Sequence, residues 1–218
     1  MRLLLLSDIH AYADALERVL RDAEGDWDEA VILGDIVGYG PEPVRAVERV
    51  RDLPRRATIL GNHEAMLFRL LDGERVPAAG RVVTALESHA KQLDDDHISF
   101  LRALDDRYED DAWAAVHGSP RERFEYLLSV PDARANEPHM PRDIVCIGHT
   151  HVPGAYLNDT GRWRVMPVKH GSRVLEIPDG AKVFVNPGSV GPARDGGPGA
   201  AYAILDEEER RVVWRRGI

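Results

Sequence analysis

Five short apolar runs in this sequence each close on a residue that can bind a metal, and no other feature limits the folds open to the chain so strongly. Residues 2–7 lead into Asp8-Ile9-His10. Val31-Ile32-Leu33 leads into Gly34-Asp35, and residues 57–60 lead into Gly61-Asn62-His63-Glu64. Residues 112–116 end at His117-Gly118, and residues 144–147 at Gly148-His149-Thr150-His151. Short apolar runs punctuated by glycine read as buried strands. In open α/β sheets ligands gather beyond the carboxyl ends of the strands. The five clusters are therefore expected to meet in space although they lie far apart in the chain.

The segments between the runs fit this reading. Leu16, Val19, Leu20 and Ala23 recur at helical spacing, as do Val44, Val47 and Val50 after Pro41, which suits a first helical position. Strand, helix, strand, helix, strand implies parallel strands joined by crossovers. Residues 64–105 read as helical, with breaks near Gly73 and from Pro77 to Gly80, and 120–130 as a short helical stretch. Residues 131–142 read as a Pro-rich loop. After His151 the pattern changes to short alternating runs separated by turns such as Asn158–Gly161 and Pro178-Asp179-Gly180, which predicts antiparallel strands in a meander. Two packed sheets with helices outside satisfy both halves. With no linker, repeat or low-complexity segment, 218 residues are expected to form a single domain over 1–218.

Composition narrows the function classes. Apolar residues at 44% and charged residues at 30% argue against disorder. A net charge of −9 argues against long nucleic acid as a partner. The Leu3–Leu6 run is too short for a signal or membrane segment, and the single Cys146 excludes an intramolecular disulfide. A cytoplasmic location and no membrane partner are the expectations. Oligomeric state, a homo-oligomer included, is left open.

Mixed carboxylate, amide and imidazole donors suit Mn, Fe, Zn, Co or Ni rather than calcium. Asp-x-His alone, or Gly-Asp alone, is a weak signal. All five blocks in this order resemble the calcineurin-like metallophosphoesterase superfamily, whose pattern is D-x-H, G-D, G-N-H-[DE], H and G-H-x-H. Asn186-Pro187-Gly188-Ser189-Val190-Gly191 is similar to a turn of its small bacterial branch.

The resemblance implies a four-layer α/β/β/α sandwich of two mixed β-sheets flanked by helices. It implies two divalent ions, most simply Mn2+, roughly 3.5–4 Å apart as in two-metal sites generally. One would be held by Asp8, His10, Asp35 and His151, the other by Asp35, Asn62, His117 and His149. Asp35 would bridge them, a hydroxide between the ions would attack phosphorus, and His63 would protonate the leaving oxygen.

The chain departs from the phosphoprotein-phosphatase branch at Gly38 and Tyr39, which replace an aspartate that orients the histidine and an arginine that grips phosphate. A monoester, with close to two charges, gains most from that arginine. Its loss points to a phosphodiesterase acting on a small nucleotide-type substrate. The alternatives are a phosphomonoesterase, of protein-phosphatase or dinucleoside-polyphosphatase type, and a catalytically weak scaffold. Tyr39 and Arg194 are candidate substrate-binding residues, with Arg121 a further source of charge. His89, His97, His139 and His170 match no block and receive no role. Asp94-Asp95-Asp96 reads as a helix start rather than a calcium loop.

Overall fold

The computed structural model describes all of residues 1–218. The first half alternates strand and helix: β1 (Arg2–Leu6), α1 (Ala13–Asp22), β2 (Glu29–Ile32), α2 (Pro43–Asp52) and β3 (Arg55–Thr58). Three helices follow, α3 (Asn62–Leu71), α4 (Gly80–Gln92) and α5 (Asp95–Arg102). Then come β4 (Arg107–Glu109), β5 (Ala114–Val116), α6 (Val130–Asn136) and β6 (Ile144–Cys146). The last third is all strand: β7 (Gly154–Asn158), β8 (Trp163–Pro167), β9 (Gly171–Glu176), β10 (Lys182–Asn186), β11 (Ala201–Asp206) and β12 (Arg211–Arg216).

The strands form two six-stranded mixed sheets, ordered β3-β2-β1-β11-β12-β9 and β4-β5-β6-β10-β7-β8. β1, β2 and β3 are parallel, and β11 closes antiparallel on β1. In the second sheet β5, β6 and β10 are parallel, and β10 turns antiparallel to β7. Successive residues of a strand point to opposite faces, which explains the unbroken leucine run of β1. Leu4 and Leu6 enter the core beneath helices α1–α5, whereas Leu3 and Leu5 enter the core between the sheets. α6 covers the outer face of the second sheet, where Ala133 packs with Phe184 and Val145. The layers are helix, sheet, sheet, helix, as expected.

Several local expectations need correction. Helix α2 starts at Pro43 rather than Pro41, because a residue preceding proline is disfavoured in the helical region, so Glu42 cannot be its first residue. Residues 120–129 hold no helix. Their Arg121–Glu125 pair has helical spacing but caps an irregular turn in which Gly118 N–H donates to Arg123 O. The helix comes later, where Ser129 Oγ accepts from Asp132 N–H at its N-terminus and Pro131 sits in the first turn. The helix break expected near Gly73 and from Pro77 to Gly80 is present between α3 and α4, with Gly80 itself opening α4, and β4 was not anticipated. The terminal strands do not form one meander: β7, β8 and β10 join one sheet, and β9, β11 and β12 the other. Asp94 does cap α5, accepting from His97 N–H at 3.0 Å.

Leu157 on β7 is fully buried in the inter-sheet core, whereas Val174 on β9 is 52% exposed. Leu157→Ala should cost ~2–5 kcal/mol of unfolding free energy in urea, and Val174→Thr within about 0.5 kcal/mol of nothing. Equal losses would contradict this placement of the core.

Candidate metal centre

The strand ends are where the backbone is least relaxed. Eight non-glycine residues have positive φ, and seven of them are Asp8, His10, Ala11, Asp35, Tyr39, His149 and His151. Such conformations cost free energy and persist where surrounding structure over-determines them. Here the loops after β1 and β2 are laced together, with His10 N–H donating to Asp35 O at 2.8 Å and Ala11 N–H to Ile36 O at 2.7 Å. Glu64, buried in the first turn of α3, accepts from Asp35 N–H, Val37 N–H and Gly61 N–H at 2.9–3.0 Å. Its carboxylate thereby joins the second cluster to the third. Asn186 donates to Gly148 O and Thr150 Oγ1 and steadies the fifth.

These constraints bring the candidate ligands into two adjoining groups. Asp8, His10, Asp35 and His151 place one donor atom each within 4.8 Å of one another, as do Asp35, His117 and His149. Asp35 belongs to both. Asn62 Oδ1 adjoins the second group, 3.1 Å from His117 Nε2. All the carboxylates and imidazoles named are buried. His63 lies beside them with Nε2 4.0 Å from Asp35 Oδ2, and its backbone N–H donates to Asp35 Oδ1.

The tautomers follow from the backbone. A carbonyl only accepts, so His10 Nδ1 donates to Val37 O, His117 Nδ1 to Leu33 O and His151 Nδ1 to Pro192 O, at 3.0, 2.6 and 2.6 Å. A neutral imidazole with its proton on Nδ1 presents a bare Nε2. His10 Nε2 and His151 Nε2 face each other at 3.1 Å, and in that neutral form each offers a lone pair. Asp8 Oδ1, Asp35 Oδ2 and His149 Nδ1 are buried with no hydrogen-bond partner. Burying unsatisfied acceptors this densely is costly unless a cation satisfies them. The donor set thus fits divalent metal on its own chemistry.

Protonation follows the same pattern. Burial pulls His10 down to about 3 and His149 to about 4. Burial acts against Asp8, but His151 and His117 hold its carboxyl at about 2. Burial also lowers His117, yet Asp35, Asp8 and the Leu33 carbonyl outweigh it and raise the imidazole to about 9.

Around the mouth, the Tyr39 ring lies 4.8 Å from His63 and 4.6 Å from His10 between centroids. Tyr126, on the loop before α6, stacks on His149 at 3.9 Å. Arg194 donates to Tyr126 Oη at 3.0 Å, to His149 O at 3.1 Å and to Tyr39 Oη at 3.4 Å. Both sequence candidates for substrate contact therefore reach the site and touch one another. Arg121 instead pairs with Glu125. Tyr126 carried no sequence signal, because it sits in a loop without periodicity. Gly38 stands where the phosphatase pattern has aspartate, and a Cβ there would lie 2.0 Å from His63 Nδ1. His97 sits in the first turn of α5, where its Nδ1 accepts from Asp94 N–H, and His139 and His170 are exposed.

Comparison with known proteins agrees with the fold. The sequence model of the calcineurin-like phosphoesterase superfamily domain matches residues 1–210. The chain belongs to that superfamily, a family of dinuclear-metal phosphoester hydrolases. A metallophosphoesterase from Sphaerobacter thermophilus is 36% identical, with a TM-score of 0.86 over 99% of this chain and 88% of that one. The uncharacterized protein MJ0912 of Methanocaldococcus jannaschii is 29% identical over 216 residues, covering 95% of this chain and 84% of that protein. The hypothetical protein PH1004 of Pyrococcus horikoshii, 19% identical over 98% of this chain and 86% of that one, shares the fold with a TM-score of 0.73.

Metal uptake should release protons with a defined pH dependence. His117 titrates above the ordinary histidine value, so near neutral pH the metal-free protein holds a proton on it that a cation must displace. Titration calorimetry in buffers of different ionisation enthalpy should show at least about one proton released per chain near pH 7. The share that comes from His117 should fade as pH rises through about 9. Uptake without proton release at neutral pH would contradict the charge state assigned to His117.

Proposed function

We propose that this protein is a metal-dependent phosphoric ester hydrolase acting on small phosphodiesters of nucleotide type. The reading is carried by one observation: two buried donor groups share Asp35, and His63 Nε2 faces the same space. Asp8, His10, Asp35 and His151 would hold one divalent cation. Asp35, Asn62, His117 and His149 would hold the other, with manganese the simplest choice for this donor set. Bound there, such cations lower the pKa of water and offset the charge of a phosphoryl group.

The remaining work falls to the chain. Backbone carbonyls at Leu33, Val37 and Pro192 fix three imidazoles with their Nε2 atoms inward. His63 supplies the proton from Nε2 to the leaving oxygen as the phosphorus–oxygen bond to it breaks and a bond to water oxygen forms. Burial lowers the basicity of His63, against the pull of Asp35 and Asp8. Its imidazolium is therefore a stronger acid than a solvated one.

The diester preference rests on the loop after Asp35. Gly38 and Tyr39 leave no arginine there, and the Tyr39 ring occupies the ground beside His63. A second reading, toward monoesters, is favoured by Arg194, whose guanidinium stands over the His149 carbonyl and offers the positive charge a dianion needs. Among structural relatives of the fold is a putative diadenosine tetraphosphatase, 19% identical with a TM-score of 0.57. That likeness bears on the fold alone.

Manganese-reconstituted protein should hydrolyse bis-p-nitrophenyl phosphate faster than p-nitrophenyl phosphate, judged by kcat/KM. Much faster turnover of the monoester would overturn the diester reading in favour of the second. Arg194→Ala should raise KM about tenfold or more for the monoester, the scale of a lost charge-assisted hydrogen bond, and less for the diester. An unchanged KM for both would remove Arg194 from substrate binding.

A further inference from the structure

One buried titratable side chain next to the site has no part in the chemistry above. His89 lies on α4 and is 1% exposed. Both its ring nitrogens are spent on the loop after Asp35. Gly38 N–H donates to His89 Nδ1 at 3.2 Å, and His89 Nε2 donates to Gly40 O at 2.8 Å. This pair of bonds defines a neutral ring with its proton on Nε2, because a proton on Nδ1 would oppose the Gly38 N–H. Burial favours the same neutral form.

The two anchors bracket a strained turn. Gly38 has φ +103° and Tyr39 φ +42°, both in the left-handed region. A tyrosine stays there only if neighbouring structure holds it. The inner face of that turn is the wall against His63. The Gly38 backbone is so close that a Cβ would lie 2.0 Å from His63 Nδ1, and the Tyr39 ring covers the imidazole beside it. His63 Nδ1 is itself buried without a hydrogen-bond partner. Packing against this wall and against His10, 4.5 Å away between centroids, therefore sets the orientation of the ring.

We infer that His89 is a positioning residue for His63. By clamping Gly38 and Gly40 it holds the wall that keeps His63 Nε2 turned toward the donor groups, so a helix-borne histidine stabilises the orientation without a carboxylate at residue 38. The inference rests on the reading of His63 as proton donor. His89 touches neither substrate nor any of the proposed ligands.

A double-mutant cycle on the manganese-loaded full chain tests it, using aryl phosphodiesters of graded leaving-group pKa. His63→Ala alone should lower kcat, most for poor leaving groups. His89→Ala alone should lower kcat about tenfold with the same leaving-group trend and nearly unchanged KM. Added to His63→Ala, it should change kcat less than about twofold, because residues acting through one another are not additive. An equal loss in both backgrounds would show that His89 acts on the fold at large, and would overturn the inference. If His63→Ala left kcat unchanged for every leaving group, the proton-donor reading would fail first, and that single variant would reveal it. His89→Asn keeps an acceptor for Gly38 N–H and should recover part of kcat. It also serves in the cycle if the alanine variant does not fold. Independently of activity, 15N NMR of the metal-free protein should show His89 bare at Nδ1 and protonated at Nε2. The opposite tautomer would refute the clamp.

Discussion

Two imidazole nitrogens facing each other at 3.1 Å set the terms for the rest of this structure. His10 and His151 each donate from Nδ1 to a backbone carbonyl and so turn their Nε2 atoms toward one another. Two carboxylates, Asp8 and Asp35, are buried in the same space with one oxygen each unpartnered. An apolar protein interior disfavours that concentration of acceptors. A cation turns the same arrangement into a favourable one, as donors preset by backbone bonds need little reorganisation to bind. The fold behaves as a frame that keeps acceptors together against their own repulsion.

The frame is built from packing remote from the site. The core between the sheets is wholly apolar at its centre, with Leu3, Leu5, Val183, Val185 and Trp214 closing it, and a second core lies beneath five helices. These layers supply the stability that the left-handed residues of the ligand loops draw on. Cross-links then transmit rigidity to the site. Glu64 ties the loop after β2 to the start of α3, and His89 ties the next turn of that loop to α4. Each cross-link spans distant stretches of sequence, so the site forms only when both helices have docked on the first sheet.

Much of this was legible in the sequence because strand burial and ligand placement leave local marks. The leucines of β1 and the glycines beside Asp35, Asn62 and His149 announced strand ends, and the order of clusters announced the family. What stayed hidden depends on long-range choices. The runs Val174–Ile177 and Val183–Val185 predict strands but cannot say that β9 and β10, adjacent in sequence, join different sheets. Arg121 and Glu125 have the spacing of a helical pair, yet the chain there turns instead. The helix after it begins at Ser129-Val130-Pro131-Asp132, a capping signal masked by prolines. His89 did carry a mark: it follows Val82 and Leu86 on one face of α4, which places it inward. Its partners, two backbone groups in another loop, are invisible to any reading of residue types. Tyr126 left no trace, since stacking on His149 is decided by the path of an irregular loop.

The central claim is that these buried acceptors exist to hold two divalent ions through a shared Asp35. Elemental analysis of protein reconstituted with manganese and freed of loose metal tests it most directly. About two ions per chain are expected, falling below one in Asp35→Asn while the variant keeps its fold by circular dichroism. A folded wild-type chain that retains no metal at micromolar manganese would contradict it, as would an Asp35→Asn variant that retains the full complement.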